Sequence, residues 1–206
     1  FLCPKTLKTE KNMPNFCSNR LSMPPSPGIR NIINTLRGPN GALDFEIVLP
    51  IPKPLRDIHR GGQHIEGAYH TRWREEIQSD DRIKRIHVPE KERADLRKRF
   101  DADCPLDWCI RNWGSKWNAI CDGADWKDNA ILFDTAWNPP RGFVEALSRK
   151  FQNTRFELRF VEPGCGLNGR VLFLQGEIQR EEAYAMRSDA GIENLERVGL
   201  ALPEPI

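Results

Sequence analysis

The sequence lacks the features that identify a membrane, secreted or zinc-finger protein. It has no apolar run long enough to cross a bilayer. Residues 1–12 contain lysines but no apolar core of a signal peptide. None of the six cysteines forms a Cys-x-x-Cys pair. These absences predict a cytoplasmic protein without membrane contact, whose cysteines are free thiols and mostly small buried side chains.

The sequence also lacks an excess of positive or negative charge. The chain has 31 basic and 29 acidic residues and a net charge of +2. A dedicated DNA-binding domain usually carries a clear basic excess. The balance therefore disfavours such a domain, although it leaves room for a local basic patch.

The common catalytic and cofactor motifs are missing as well. There is no phosphate-binding Gly-x-x-x-x-Gly-Lys-Ser/Thr loop and no Gly-x-Ser-x-Gly nucleophile elbow. Cys104, Cys109 and Cys121 lie five and twelve residues apart, whereas structural zinc ligands usually come in pairs two to four residues apart. The sequence therefore predicts no metal, no cofactor and no catalytic residues. The histidines that could complete a zinc site with these cysteines are His59, His64, His70 and His87.

One small-enzyme alternative remains open, a metal- or thiol-dependent activity. Cys165 lies in a glycine-flanked turn, and Arg170 is a nearby cation that would be needed to lower the pKa of its thiol. An ordinary turn is the preferred interpretation.

Hydrophobic periodicity predicts a repeated strand–helix–strand pattern. In the first half, a strand over 16–23 is followed by a helix over 29–36 and an alternating strand over 43–49. In the second half, strands are predicted at 130–137, 156–160 and 170–179, with a helix after Pro140. The remaining tail, 180–197, is predicted to be a polar helix.

Residues 55–103 differ from both halves because they mix charges of both signs. We interpret them as a charged helical insertion, with surface helices at 69–77 and 89–100. The chain is then divided into a leader (1–12), a first half (13–54), the insertion (55–103), a Trp-rich second half (104–179) and a C-terminal helix and tail (180–206).

These elements predict an α+β fold of the ferredoxin-like, split βαβ type. We expect an antiparallel sheet of four to five strands with two helices on one face.

Two groups of residues are candidates for binding. Trp113 and Trp117 are four residues apart and would share one side of a helical turn, where the aromatic rings and nearby cations can stack on bases. Packing in the core is the preferred interpretation of the tryptophans. The second group is basic and lies in a mixed-charge stretch for which a solvated surface is the preferred interpretation. Its functional alternative is docking, on an acidic protein rather than on nucleic-acid phosphates. The full candidate set is Arg93, Arg97, Lys98, Arg99, Arg111, Trp113, Lys116 and Trp117.

Several segments resemble one family. Residues 13–19 (MPNFCSN), 112–119 (NWGSKWNA) and 133–140 (FDTAWNPP) are similar to segments of the YubB-like proteins, as is the strand and turn at 160–164. The resemblance implies a ferredoxin-like fold and a phage or plasmid accessory gene. It implies no chemistry.

The function expected from this resemblance is non-enzymatic binding. The protein would dock on a host protein or ribonucleoprotein as a counter-defence inhibitor, in the manner of an anti-CRISPR protein. The alternative is an RNA or single-stranded nucleic-acid binding module.

Overall fold

The structure, a computed structural model, describes residues 15–39 and 41–200. The predicted leader lies outside the described residues. The strands are β1 (Phe16–Ser22), β2 (His59–Ile65), β3 (Ala68–Ile77), β4 (Ile83–His87), β5 (Ala130–Ala136), β6 (Phe156–Glu162), β7 (Leu167–Leu174) and β8 (Glu177–Ala183). The helices are α1 (Ile29–Leu36), α2 (Glu90–Phe100), α3 (Pro105–Asn112), α4 (Arg141–Lys150) and α5 (Asp189–Arg197). None of these helices is long and apolar enough to cross a membrane.

The main sheet has five strands in the order β5-β1-β6-β7-β8. Each neighbouring pair is antiparallel. Because β5 and β6 both run opposite to β1, they are parallel to each other, and α4 connects them across β1. This is the split βαβ arrangement, and it confirms the predicted ferredoxin-like α+β class.

Alternation along the strands explains how the main sheet forms its core. Phe156, Leu158 and Phe160 of β6 point to one face, where α1 and α4 pack. Val161 points to the other face and contacts Leu195 of α5. The predicted two helices on one face are therefore present, and α5 covers part of the opposite face.

The predicted second strand, Leu43–Leu49, is wrong. Its centre is a single 3₁₀ turn, Phe45–Ile47, capped by the Asp44 carboxylate, which accepts a hydrogen bond from Glu46 N at 3.0 Å. Leu43 and Phe45 are fully buried, so the alternation came from packing under the sheet rather than from strand pairing.

The predicted helical insertion is only half right. Residues 69–77 form β3, the central strand of a second antiparallel sheet with order β2-β3-β4. The second predicted helix is present as α2. We call β2, β3 and β4 the small sheet.

The predicted final strand and polar tail are also corrected. Residues 170–179 are divided between β7 and β8, which a tight turn at Gln175–Gly176 joins. Both turn residues have positive φ, as a two-residue hairpin of this kind requires. The predicted helix from 180 therefore begins only at Asp189.

Candidate functional site

A groove lies between the small sheet and the main body of the protein. It has a volume of about 470 Å³. Its apolar walls include Ile51, Ile58 and Leu106, and its rim carries His59 and Arg60 at the start of β2. Concave, mostly apolar sites with a few polar groups are typical binding sites, and they often occur where two structural units meet.

Trp117 forms one side of this groove. Its side chain is 47% exposed although it is a large apolar group. The next residue, Asn118, ties this segment to the core, because its Oδ1 atom accepts a hydrogen bond from Phe45 N at 2.8 Å. The Asn118 amide also donates to Asp44 at 2.7 Å. An indole that remains half in solvent beside an apolar groove is a suitable contact for a partner.

Trp113 lines the bottom of the groove but belongs to the core. It is only 2% exposed, and its indole Nε1 donates a hydrogen bond to the carbonyl of Leu49 at 2.8 Å. Its ring meets those of Phe45 and Trp108 edge to face, with centroids 5.6 Å and 5.8 Å apart. The preferred interpretation of the sequence, core packing, holds for Trp113 and fails for Trp117.

The rim of the groove is polar, and its charged side chains mostly have interaction partners. The His59 ring stacks on Trp73 with centroids 4.2 Å apart. Arg60 forms an ion pair with Asp107 at 2.5 Å. Lys116 lies 5.3 Å above the ring of Trp137. His59, which the flanking glycines predict to lie in a loop, begins β2 and lines the groove together with the two candidates Lys116 and Trp117.

The basic candidates on α2 lie elsewhere and are mostly engaged. Arg93 and Arg97 both contact the Asp103 carboxylate, at 3.0 Å and 2.6 Å. Arg97 also pairs with Glu90. Lys98 is exposed and Arg99 pairs with Asp95 at 3.3 Å. A phosphate docking on this strip would compete with existing carboxylates.

Arg111 is separate from both groups. It lies in the last turn of α3 and pairs with Asp101. The structure therefore brings together Trp113, Lys116 and Trp117 at the groove, while the other five candidates lie outside its lining.

Asp103 is the centre of the largest ionic cluster around the small sheet. Its carboxylate accepts hydrogen bonds from Arg72 of β3 at 2.6 Å and from the two arginines of α2. Burial alone would raise the pKa of Asp103, but the hydrogen bonds and charges of these arginines outweigh it and hold the pKa below its usual value. The cluster ties the small sheet to α2 and to the start of α3.

The same place holds the one group of possible metal ligands among the described residues. Ligand atoms of Asp103, Cys104 and Asp107 lie within 4.8 Å of one another. Both carboxylates, however, already accept hydrogen bonds from Arg72, at 2.6 Å and 2.7 Å. Since guanidinium groups compensate this cluster, we interpret it as a structural ion-pair network and not as a metal centre.

The five cysteines within the described part of the chain show no sign of an activated thiol. Burial raises the pKa of the Cys109 thiol to about 12 and that of Cys17 further still. The exposed Cys165 also has a raised pKa, because its thiol is hydrogen-bonded to the Glu162 carboxylate. Arg170, the cation considered above, forms an ion pair with Glu157 at 2.8 Å instead.

A thiol-labelling experiment tests this description. In the native protein, Cys165 is expected to react with a disulfide reagent, slowly at neutral pH, while Cys17, Cys104 and Cys109 react only after unfolding. Replacing Cys165 by serine should remove one reactive thiol from the native count. Fast labelling of Cys165 at mildly acidic pH would indicate an activated thiol and contradict the assignment.

One comparison with known proteins, a match to a family model, agrees with the fold. Residues 112–199 match the family model described as "Ferredoxin-like domain in Api92-like protein". A comparison with curated proteins found no match. Among solved structures, the chain is similar to the crystal structure of a protein api92 from Yersinia pseudotuberculosis. That similarity covers 84% of this chain and 99% of the other, with 12% identity and a TM-score of 0.46.

The family match spans the split βαβ unit together with β7, β8 and α5. It begins at the end of α3 and so includes Trp113 and Trp117, but not the small sheet. From residue 112 to residue 199 the chain is therefore matched by the ferredoxin-like domain of Api92-like proteins.

Proposed function

We propose that this is a non-enzymatic binding protein that docks on a host protein or ribonucleoprotein through the groove beside Trp117. Its purpose would be counter-defence on behalf of a phage or plasmid. The resemblance to YubB-like accessory proteins supports that purpose, and the groove supports the mode of binding.

The observation that carries the proposal is the half-exposed Trp117 beside an apolar groove. Binding energy in protein interfaces concentrates in a few aromatic or arginine side chains that meet a desolvated pocket. Here an indole, the apolar wall of Ile51 and Leu106, and a polar rim occur together. The arrangement suits an apolar side chain of a protein partner that inserts next to Trp117.

The charges around the groove favour a protein over a nucleic acid. Glu46 lines the groove, and the Arg60 guanidinium is already paired with Asp107. Lys116 is the remaining cation of the lining, which offers little attraction for several phosphates. Nucleic-acid binding usually requires many such contacts.

Replacing Trp117 by alanine is expected to weaken partner binding by about 2 kcal/mol, or roughly thirtyfold, because the variant loses the central apolar contact. Partners would be captured from host lysate, identified, and titrated against wild type and variant. Ile178→Ala is a matched control, since Ile178 on β8 is 48% exposed and far from the groove in sequence and sheet.

The control should bind as tightly as wild type. A partner that binds Trp117→Ala and wild type equally would contradict the proposal. Point variants are preferable to deleting the insertion, because loss of Arg72 and Arg93 would also leave Asp103 with fewer partners.

One observation favours a second candidate, single-stranded nucleic-acid binding. Trp117 is exposed next to Lys116, and a base could stack on its ring. Titration with labelled oligonucleotides at two salt concentrations separates the candidates. Binding that weakens steeply with salt and is lost in Trp117→Ala would support the nucleic-acid function. Lack of binding at low salt would exclude it.

A further inference from the structure

The face of the main sheet opposite α1 and α4 carries a row of three arginines. Arg20 of β1 lies directly opposite Arg159 of β6, and Arg159 lies directly opposite Arg170 of β7. Like charges directly opposite each other on neighbouring strands destabilise a sheet. The row therefore requires compensating negative charge.

Two of these arginines have that compensation. Arg159 and Arg170 share the Glu157 carboxylate, at 2.7 Å and 2.8 Å. Arg170 also lies 3.5 Å from Glu182. The carboxylates near the row thus form ion pairs with the two arginines on β6 and β7.

Arg20 is different. Its guanidinium reaches the Ser22 hydroxyl at 3.4 Å, and no carboxylate of the described residues forms an ion pair with it. Partial burial lowers the pKa of Arg20, and repulsion from Arg159 and Arg197 lowers it further, with Glu157 acting in the opposite direction. A half-buried guanidinium that keeps its charge is a strong and geometrically specific donor for an anion.

Two depressions flank Arg20 on this face. One has a volume of about 320 Å³ and is also lined by Ser22, Arg155 and Arg170. The other has a volume of about 400 Å³ and is also lined by Lys127 and Arg197. Arg20 lines both depressions, so its guanidinium lies between two basic hollows, as we call them below.

The remaining lining defines the kind of anion. Asp128 lines both hollows, and Glu157 and Asp125 line one each, so the site has a small basic excess and not an extended basic field. The described lining contains no aromatic ring on which a base could stack. These features suit phosphate groups of a compact ligand better than a nucleic-acid strand, which requires stacking or a long basic track.

We propose that the open face of the main sheet binds a small ligand with two linked phosphate groups, one on each side of Arg20. Arg155 would contact one phosphate and Lys127 the other, because Arg170 and Arg197 of the same linings already pair with Glu157 and Glu193. The site is separate from the groove beside Trp117 and does not depend on the function proposed for that groove.

The test is calorimetric titration with pyrophosphate and with inorganic phosphate at low and physiological ionic strength. Pyrophosphate should bind more tightly than phosphate because both of its phosphate groups can accept hydrogen bonds from the Arg20 guanidinium. Arg20→Gln should weaken pyrophosphate binding by about tenfold or more, since it removes a charged donor shared by both groups. Arg82→Gln is the control, because Arg82 lies in the turn between β3 and β4, has a side chain that is 82% exposed, and pairs with Asp80.

The folded state of each variant is checked by thermal unfolding without ligand. Arg20→Gln should unfold at the wild-type temperature or above it, since repulsion in the row is relieved. Arg155→Gln is a second variant at an exposed position and should also weaken pyrophosphate binding. No pyrophosphate binding at low ionic strength, or equal binding by wild type and Arg20→Gln, would overturn the proposal. So would single-stranded RNA that binds through Arg20 with an affinity that grows with its length.

Discussion

Replacing Asp103 by alanine is expected to lower the free energy of unfolding by about 3–5 kcal/mol, because removing one partner of a buried ionic network leaves uncompensated charge. The Asp103 side chain is only 4% exposed and accepts hydrogen bonds from three arginines. Without it, Arg72 of β3 keeps Asp107, and the two arginines of α2 are left with Glu90, whose side chain is 67% exposed. The small sheet would therefore be less firmly attached to α2.

Urea unfolding of wild type and variant measures this loss. Asp95→Ala is the matched control on the neighbouring helix, because Asp95 pairs with a single arginine at 3.3 Å and is 59% exposed. Exposed ion pairs contribute about 0–1 kcal/mol, so the control should unfold close to wild type. Similar losses for the two variants would contradict the role of Asp103 as the central acceptor.

The stability contributed by Asp103 should also depend on pH. Its pKa in the folded protein is lower than in the unfolded chain, so the unfolded state binds a proton first as the pH falls. The contribution is complete above the usual pKa of an aspartate and is lost as the pH falls through the lower folded value. Asp103→Asn should therefore flatten the acid side of the stability profile. If Asp103→Asn left the loss of stability at acidic pH unchanged, the pKa of Asp103 would not be lowered in the folded state.

Local periodicity predicted those parts of the fold in which packing and strand pairing impose the same pattern. β6 alternates between Phe156, Leu158 and Phe160 on the core side and polar residues on the other, and this was sufficient to place it. Residues 43–49 show the same alternation but have no strand partner. There the Asn118 side chain takes the hydrogen bond of Phe45 N that a neighbouring strand would have taken.

The small sheet was missed for a different reason. Its strands are exposed on most positions, so β3 shows no apolar face by which to distinguish a strand from a surface helix. The sequence nevertheless contains a signal for the turn between β2 and β3. Glu66 and Gly67 both have positive φ and join β2 to β3 as a two-residue hairpin, and glycine at the second position is typical of this turn.

The candidate site was only partly predictable because it is formed by distant segments. Spacing identified Trp113 and Trp117 as a pair but placed them on the same side of one helical turn. α3 ends at Asn112, and Gly114 has a φ of 86°, so the chain leaves the helix between the two tryptophans. A Cβ atom at Gly114 would lie 2.9 Å from the Pro139 carbonyl oxygen, which explains why glycine stands there.

The same substitution should therefore affect mainly stability at Trp113 and mainly partner binding at Trp117. Trp113→Ala is expected to lower the free energy of unfolding by about 3–5 kcal/mol, because it leaves a cavity beside Phe45 and Trp108. It also leaves the Leu49 carbonyl without its hydrogen-bond donor. Trp117→Ala should change stability by about 0.5–1 kcal/mol, because much of the ring is already in water.

Denaturant unfolding and partner titration, each applied to both variants, separate the two roles. Trp113→Ala should lose stability, and Trp113→Phe should recover most of it, apart from about 1 kcal/mol for the missing indole hydrogen bond. Trp117→Ala should lose partner binding while remaining folded. If Trp117→Ala unfolded as readily as Trp113→Ala, the exposed indole would be supporting the fold, and the groove would have no aromatic contact to offer a partner.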